Sequence, residues 1–335
     1  MKKKISILLA MIMVVSMMLA GCGSSGSDSF ESSSESDEGL TKVSVAFCTF
    51  TGYAPMFIAK ENGYFEDKGI DIDIMVIEDE STYASLITKG DIQFLATAQD
   101  PNVRMYGNGA TMKYVLTMDK SVGADGLVAT ADIQSLDDLK GKTVALDKSA
   151  SSYYFFLKAL EDSSITEDDI NVLDMGDTTE AGVSFMGGKV DAAIMWEPEL
   201  SEALDSVEGA HALVTSADYP NCISDSLVVN TKYAEENPEI VTAMQEAWNE
   251  AVAFYNENPE ESYELMASGF EEVTAEDIKG DCEGLEFLGE SENAALVDEA
   301  NEENIFNICQ DMAEFWEAQG ECKSTDLTDY FTLVK

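Results

Sequence analysis

Three times along this chain an apolar run of strand length enters a polar loop and then a helix opened by proline. Residues 43–47 lead through 48–54 to Pro55, residues 92–96 through 97–100 to Pro101, and residues 192–195 through Trp196 and Glu197 to Pro198. Proline has no N–H to lose and a fixed φ that suits the first helical turn, so it marks helix starts. Apolar, β-branched runs bounded by such breakers read as strands, and repeated strand–loop–helix units build parallel sheets covered by helices. The first helix ends at Asn62-Gly63, a left-handed stop. Its loop carries Thr49, Thr51 and Tyr53 beside helix N–H groups that lack partners. This stretch is expected to form an exposed small-molecule cradle, with an ordinary connection around a buried tyrosine as the alternative.

The remaining elements follow from pattern. Residues 70–77 alternate apolar and acidic side chains, as a strand does, and a helix is expected over 81–89 and a strand over 114–118. After a turn-rich stretch at 119–126 and a brief strand at 127–129, a second set begins. It has strands at 143–146, 170–173, 192–195 and 211–215, a loop at 147–152, and helices to 160 and around 180–186. Leu227-Val228-Val229 is a strand placed to cross back. Beyond it the chain is helical and acidic: 238–256 repeats Ile240, Val241, Met244, Ala247, Trp248, Ala251 and Phe254 at helical intervals, a core stripe. Further helices are expected at 259–268, 274–279 and 292–319.

The N-terminus reads as an address. Lys2, Lys3 and Lys4 precede an apolar run at 5–20, too short for a comfortable membrane span. Leu19-Ala20-Gly21-Cys22 resembles the bacterial lipobox, which implies a signal peptide at 1–21 and lipidation of Cys22. Residues 22–39 are nearly all Gly, Ser, Asp and Glu, a composition that cannot bury enough apolar surface to order itself and serves as a tether.

Charge excludes whole classes of partner. Nineteen Lys+Arg stand against 65 Asp+Glu, a formal charge of −46, so a nucleic-acid or anionic-lipid surface is excluded. Arg104 is the one arginine, and no bidentate arginine clamp can be assembled. Any anionic group on a ligand must rely on backbone N–H, hydroxyls or a lysine. Without Cys22, Cys48, Cys222, Cys282, Cys309 and Cys322 form an odd set; one bridge among the last three is plausible on spacing. No CxxC spacing occurs and His211 is the one histidine, so no metal or cofactor is expected.

Five stretches stand in a recognisable order: Gly52-Tyr53-Ala54-Pro55 with Glu61-Asn62-Gly63-Tyr64-Phe65, Gly123-Ala124-Asp125-Gly126, Asp138-Leu139-Lys140-Gly141-Lys142, Gly188-Lys189-Val190-Asp191-Ala192-Ala193, and Trp196-Glu197-Pro198. With them the chain resembles the type II periplasmic solute-binding proteins, and more narrowly the nitrate/sulfonate/taurine and thiamine-pyrimidine-precursor binding family of ABC importers. The resemblance runs from about residue 42 to about 232; the helical tail fits in pattern only. It implies two α/β lobes joined by two crossing hinge strands: lobe one at 40–128 and 224–335, lobe two at 129–223. It also implies an ABC permease and ATPase as partners, a membrane-anchored extracytoplasmic location, a monomer, and no enzymatic activity.

Ligands of open α/β sheets bind beyond the carboxyl ends of the strands. The candidate site residues there are Thr51, Tyr53, Gln99, Asp100, Ser149, Ser151, Ser152, Trp196, Glu197 and Asp225. Helix N-termini favour an acidic group on the ligand, each by about 0.3–1 kcal/mol. Asp100, Asp119, Glu197 and Asp225 near the same loops favour an amine or ring N–H. A sulfonate or taurine-like ligand is therefore expected, with a thiamine pyrimidine precursor or a nitrate-like anion as alternatives. Helix capping is the competing role for Asp100, Glu197 and the serines. Pyrimidine synthases share the implied fold, but their cysteine-rich motif is absent, and one histidine in a strand makes no catalytic triad.

Overall fold

The computed structural model describes residues 39–271 and 273–334. The expected signal peptide, the lipidation at Cys22 and all of the tether but Gly39 lie outside the described residues. Eleven strands appear in chain order: β1 (Thr41–Phe47), β2 (Ile70–Val76), β3 (Phe94–Ala98), β4 (Met112–Ser121), β5 (Asp125–Ala129), β6 (Thr143–Leu146), β7 (Asn171–Asp174), β8 (Ala192–Trp196), β9 (His211–Thr215), β10 (Ser224–Asn230) and β11 (Leu285–Phe287). They form a six-stranded sheet, β11-β4-β10-β3-β1-β2, and a five-stranded sheet, β7-β6-β8-β5-β9. β1 pairs in parallel with β2 and β3, while β10 runs antiparallel between β3 and β4. The second sheet repeats the device: β6 pairs in parallel with β7 and β8, and β5 runs antiparallel between β8 and β9.

The antiparallel strand in each sheet is the one that has arrived from the other. β5 therefore belongs to the second sheet, and the chain passes from the first sheet to the second at 122–124 and back at 216–223. The two crossings are tied together. Ser216 Oγ bonds Ser121 Oγ at 2.7 Å and accepts from Gly123 N–H at 2.8 Å. Gly123 takes φ +136°, a conformation open to glycine and strained for any residue with a Cβ.

Side-chain alternation places β1 between two cores. Val43, Val45 and Phe47 face the helices Pro55–Glu61 and Pro238–Glu257, and Ala46 faces a cluster containing Tyr83, Val103 and Trp316. The long helix buries Ile240, Val241, Met244, Ala247, Trp248 and Ala251, and Trp248 Nε1–H donates to Leu288 O at 2.9 Å. Phe254, last of the expected stripe, is half-buried.

The tail departs from expectation in two ways. The helix read over 292–319 is two helices, Glu290–Leu296 and Ile305–Gln319, and β11 was not foreseen. The final helix lies against the helix Gln99–Gly107 that follows β3 and also reaches the second sheet's helices. Its Trp316 packs on Tyr153 (5.6 Å) and Tyr154 (5.9 Å) of the second sheet's helix Ser151–Leu160. All five cysteines among the described residues are buried and free, so no bridge joins Cys282, Cys309 and Cys322. Among the described residues no helix is long and apolar enough to cross a membrane.

Candidate ligand-binding site

A cavity of about 20 Å³ lies between the two sheets, at the carboxyl ends of their parallel strands. This is room for about one water. Phe50 and Tyr53 enter from the turn after β1, Glu80 from the turn after β2, and Thr97 and Ala98 from the end of β3. Asp125 and Trp196 enter from β5 and β8, Ala150 and Ser151 from the helix after β6, and Asp225 from β10. A wider cleft of about 610 Å³ continues outward past Cys48, Glu80 and Trp196.

Strand register decides which side chains meet. Asp225 of β10 stands opposite Ala98 on one side and Asp119 on the other, and Asp125 stands opposite Trp196. Opposed residues on neighbouring strands are close enough to interact directly. The three aromatic rings cluster: Phe50 lies 5.3 Å from Tyr53 and 6.3 Å from Trp196, edge to face in both pairs. Close approach of Gly52 completes this wall, since a Cβ there would overlap the Asp119 carboxylate and the Phe50 ring. The turn Thr51–Tyr53 is buried, not the exposed loop expected, because Tyr53 packs on Phe47 and Phe50 and donates to Asp225.

Every carboxylate at this site is pushed upward. Burial raises Asp125 to about 7, against a hydrogen bond from Ser121. Burial raises Asp225 to about 6 despite the Tyr53 hydroxyl and a hydrogen bond with Asp119. Asp119, fully buried beside Asp225, is held well above the carboxylate range, first by burial and then by the charge of Asp225. Glu80 is raised to about 7, chiefly by burial and then by the charges of Asp147, Asp225 and Asp100, while its contact with Cys48 opposes the rise. Burial and the nearby Glu80 and Glu78 push the Cys48 thiol up as well, so no thiolate nucleophile is poised here.

Of the residues singled out from sequence, Tyr53, Ser151, Trp196 and Asp225 come together around the cavity. The others do not line the cavity, although Ser149 lines the wider cleft outside it. Thr51 Oγ1 donates to Asp281 at 2.6 Å, and Gln99 Nε2 donates to Tyr330 at 3.1 Å. Asp100 is not a helix cap: the helix Gln99–Gly107 starts one residue earlier, and Asp100 lies buried within its first turn, 3.6 Å from Arg104. Burial raises it to about 6, and the guanidinium opposes the rise. Ser149 N–H and Oγ both donate to Asp147 at 2.7 Å, and Ser152 Oγ donates to Asp147 O at 3.1 Å. Glu197 accepts from Ser201 N–H (3.0 Å) and Oγ (2.9 Å), so it caps the helix Glu199–Ser206 and does not line the cavity. Missed at the sequence level were Cys48, Phe50, Glu80 and Asp125. Asp125 lies in the Gly-Ala-Asp-Gly stretch that carries the resemblance, which was a usable signal; Glu80, at the start of the short 3₁₀ turn Glu80–Thr82, had none.

The pattern of the NMT1/THI5-like family matches residues 51–262, which hold β2 to β10 and every residue lining the cavity except Cys48 and Phe50. The chain belongs to the NMT1/THI5-like family. Among curated relatives of this NMT1/THI5-like chain, a putative aliphatic sulfonates-binding protein of Bacillus subtilis (strain 168) is 26% identical over 274 residues, covering 80% of this chain and 78% of the relative. The taurine-binding periplasmic protein of Escherichia coli (strain K12) is 22% identical, covering 87% and 92%. The fold is that of the periplasmic aliphatic sulphonate binding protein SsuA from Escherichia coli, with a TM-score of 0.70, 20% identity, and 88% and 92% coverage. The desulfurization enzyme DSZB shares it more distantly, with a TM-score of 0.65, 13% identity, and 88% and 97% coverage.

Proposed function

We propose that this NMT1/THI5-like chain is the extracytoplasmic solute-binding component of an ABC importer, anchored through a lipidated Cys22. It captures a small polar organic molecule between its lobes and delivers it to a permease and ATPase. The observation that carries the reading is the cavity at the meeting of the two sheets, where Trp196 from one lobe faces Phe50 and Tyr53 from the other. The relatives' names support capture over catalysis, and so does the protonated Cys48 thiol. The short crossings at 122–124 and 216–223 leave few covalent links to bend, which suits closure on a ligand by hinge motion.

Small-angle scattering with a panel of sulfonates, taurine, nitrate, amines and pyrimidines tests the reading. The right ligand gives a more compact particle and a raised melting temperature; an unchanged radius and melting curve across the panel would sink it. Cys22→Ser tests the anchor: the variant moves to the aqueous fraction or keeps its signal, whereas normal-sized, membrane-retained protein contradicts lipidation.

A further inference from the structure

We propose that the group this site recognises is a positively charged nitrogen, a substituted ammonium seated between the Asp125 and Asp225 carboxylates and the rings of Phe50, Tyr53 and Trp196. The inference rests on the solute-capture reading and specifies the ligand's charge.

The cavity wall holds Asp125, Asp225 and Glu80 and no lysine, arginine or histidine. The sole arginine is committed elsewhere. Arg104 donates to Lys148 O (3.1 Å) and Ser149 O (2.6 Å), lies 4.5 Å from the Trp316 ring centre, and adjoins Asp100. Lys148, the nearest lysine in sequence to these lining loops, bonds Glu167 at 2.6 Å and stacks on Tyr153. A sulfonate entering here would meet carboxylates with no counter-charge.

Asp125 is an independent sign of a missing partner. It is 2% exposed, it lines the cavity, and its Oδ2 has no hydrogen-bond partner. Buried carboxylates are normally paired, because an unpaired one forfeits its hydration without return. A second observation points the same way: three aromatic rings enclose the same space, and ring faces attract a cation that has shed its water. Carboxylates answer its charge and rings answer its alkyl substituents. The groups facing the site from each packed element are Cys48, Tyr53, Glu80, Asp119, Asp125 and Asp225, and none can carry a positive charge.

Calorimetry and Trp fluorescence on the full-length chain decide the matter, with choline, propylammonium, taurine and methanesulfonate as probes. Choline or propylammonium binds and shifts the fluorescence, and methanesulfonate does not. Asp125→Asn weakens the ammonium by roughly ten- to a hundredfold. Trp196→Leu, which leaves the carboxylates in place, weakens it by roughly three- to tenfold and serves as the second test if the first variant folds poorly. Methanesulfonate binding as tightly as propylammonium, or Asp125→Asn leaving ammonium affinity unchanged, overturns the inference while leaving solute capture standing. No response to either ammonium also overturns it; solute capture itself falls only if the wider panel fails to compact the particle.

Discussion

At the scale of single residues, position decided what a carboxylate does. Glu197 stands next to Trp196 yet spends both oxygens on Ser201. Glu197→Ala should cost about 0.5–2 kcal/mol of stability, as a lost helix cap does, and leave ligand affinity unchanged. Thermal unfolding and calorimetry read the two effects separately. Asp125 behaves oppositely. Its folded pKa, about 7, lies above the roughly 3.9 of an unfolded aspartate. Between those values the folded state holds the extra proton, so stability falls as pH rises through the window and does not recover above it. The unliganded protein should therefore be less stable at pH 8 than at pH 5, by roughly 1.4 kcal/mol per pH unit for each proton released. Asp125→Asn should flatten that slope, and melting curves across pH would check it. Ammonium affinity should rise over the same window, because the charged carboxylates it needs appear there.

At the scale of elements, the final helix and the Gln99–Gly107 helix form a tie between lobes. Arg104 reaches from its own helix to two carbonyls of the 147–150 loop, with Trp316 beneath its guanidinium. Asp100, buried one turn earlier, forms an ion pair with the guanidinium at 3.6 Å. Arg104→Gln should widen the unliganded particle and weaken ligand binding about three- to tenfold, since closure loses hydrogen bonds made by a charged donor. Scattering and calorimetry measure these; an unchanged radius would show that the tie does not restrain the lobes. The helix Ile305–Gln319 lies against Gln99–Gly107, and its Phe315 and Trp316 also pack on Tyr153 and Tyr154. A helical stripe announces a buried face without saying which neighbour covers it.

For the whole molecule, a formal charge of −46 makes self-repulsion a general term. Salt between about 10 and 150 mM shortens the screening length from about 30 to about 8 Å, and the melting temperature should rise steadily over that range. A melting temperature that falls with salt would mean that the surface ion pairs, such as Lys68 with Glu246 and Glu250, outweigh the repulsion. The same acidity would draw cations toward the cleft, where Glu78, Asp79, Asp147 and Asp177 line the approach to the cavity.

The sequence by itself determined most strands, the proline-led helix starts, the stripe from Ile240 to Ala251 and the two-set order, because each is written in local periodicity and in residues that break it. It also placed Tyr53, Trp196 and Asp225 at strand ends, where α/β sheets bind ligands. The tertiary structure alone decided the partners. Asp225 meets Asp119, and Asp125 meets Trp196, through the register of strands paired across long stretches of chain. No local pattern encodes that register. The same holds for Arg104, committed to the 147–150 loop, and for Phe50 and Glu80, which become cavity walls only when the two sheets face one another. Local chemistry sets what each segment forms; which charges share a buried space follows from non-local pairing and burial.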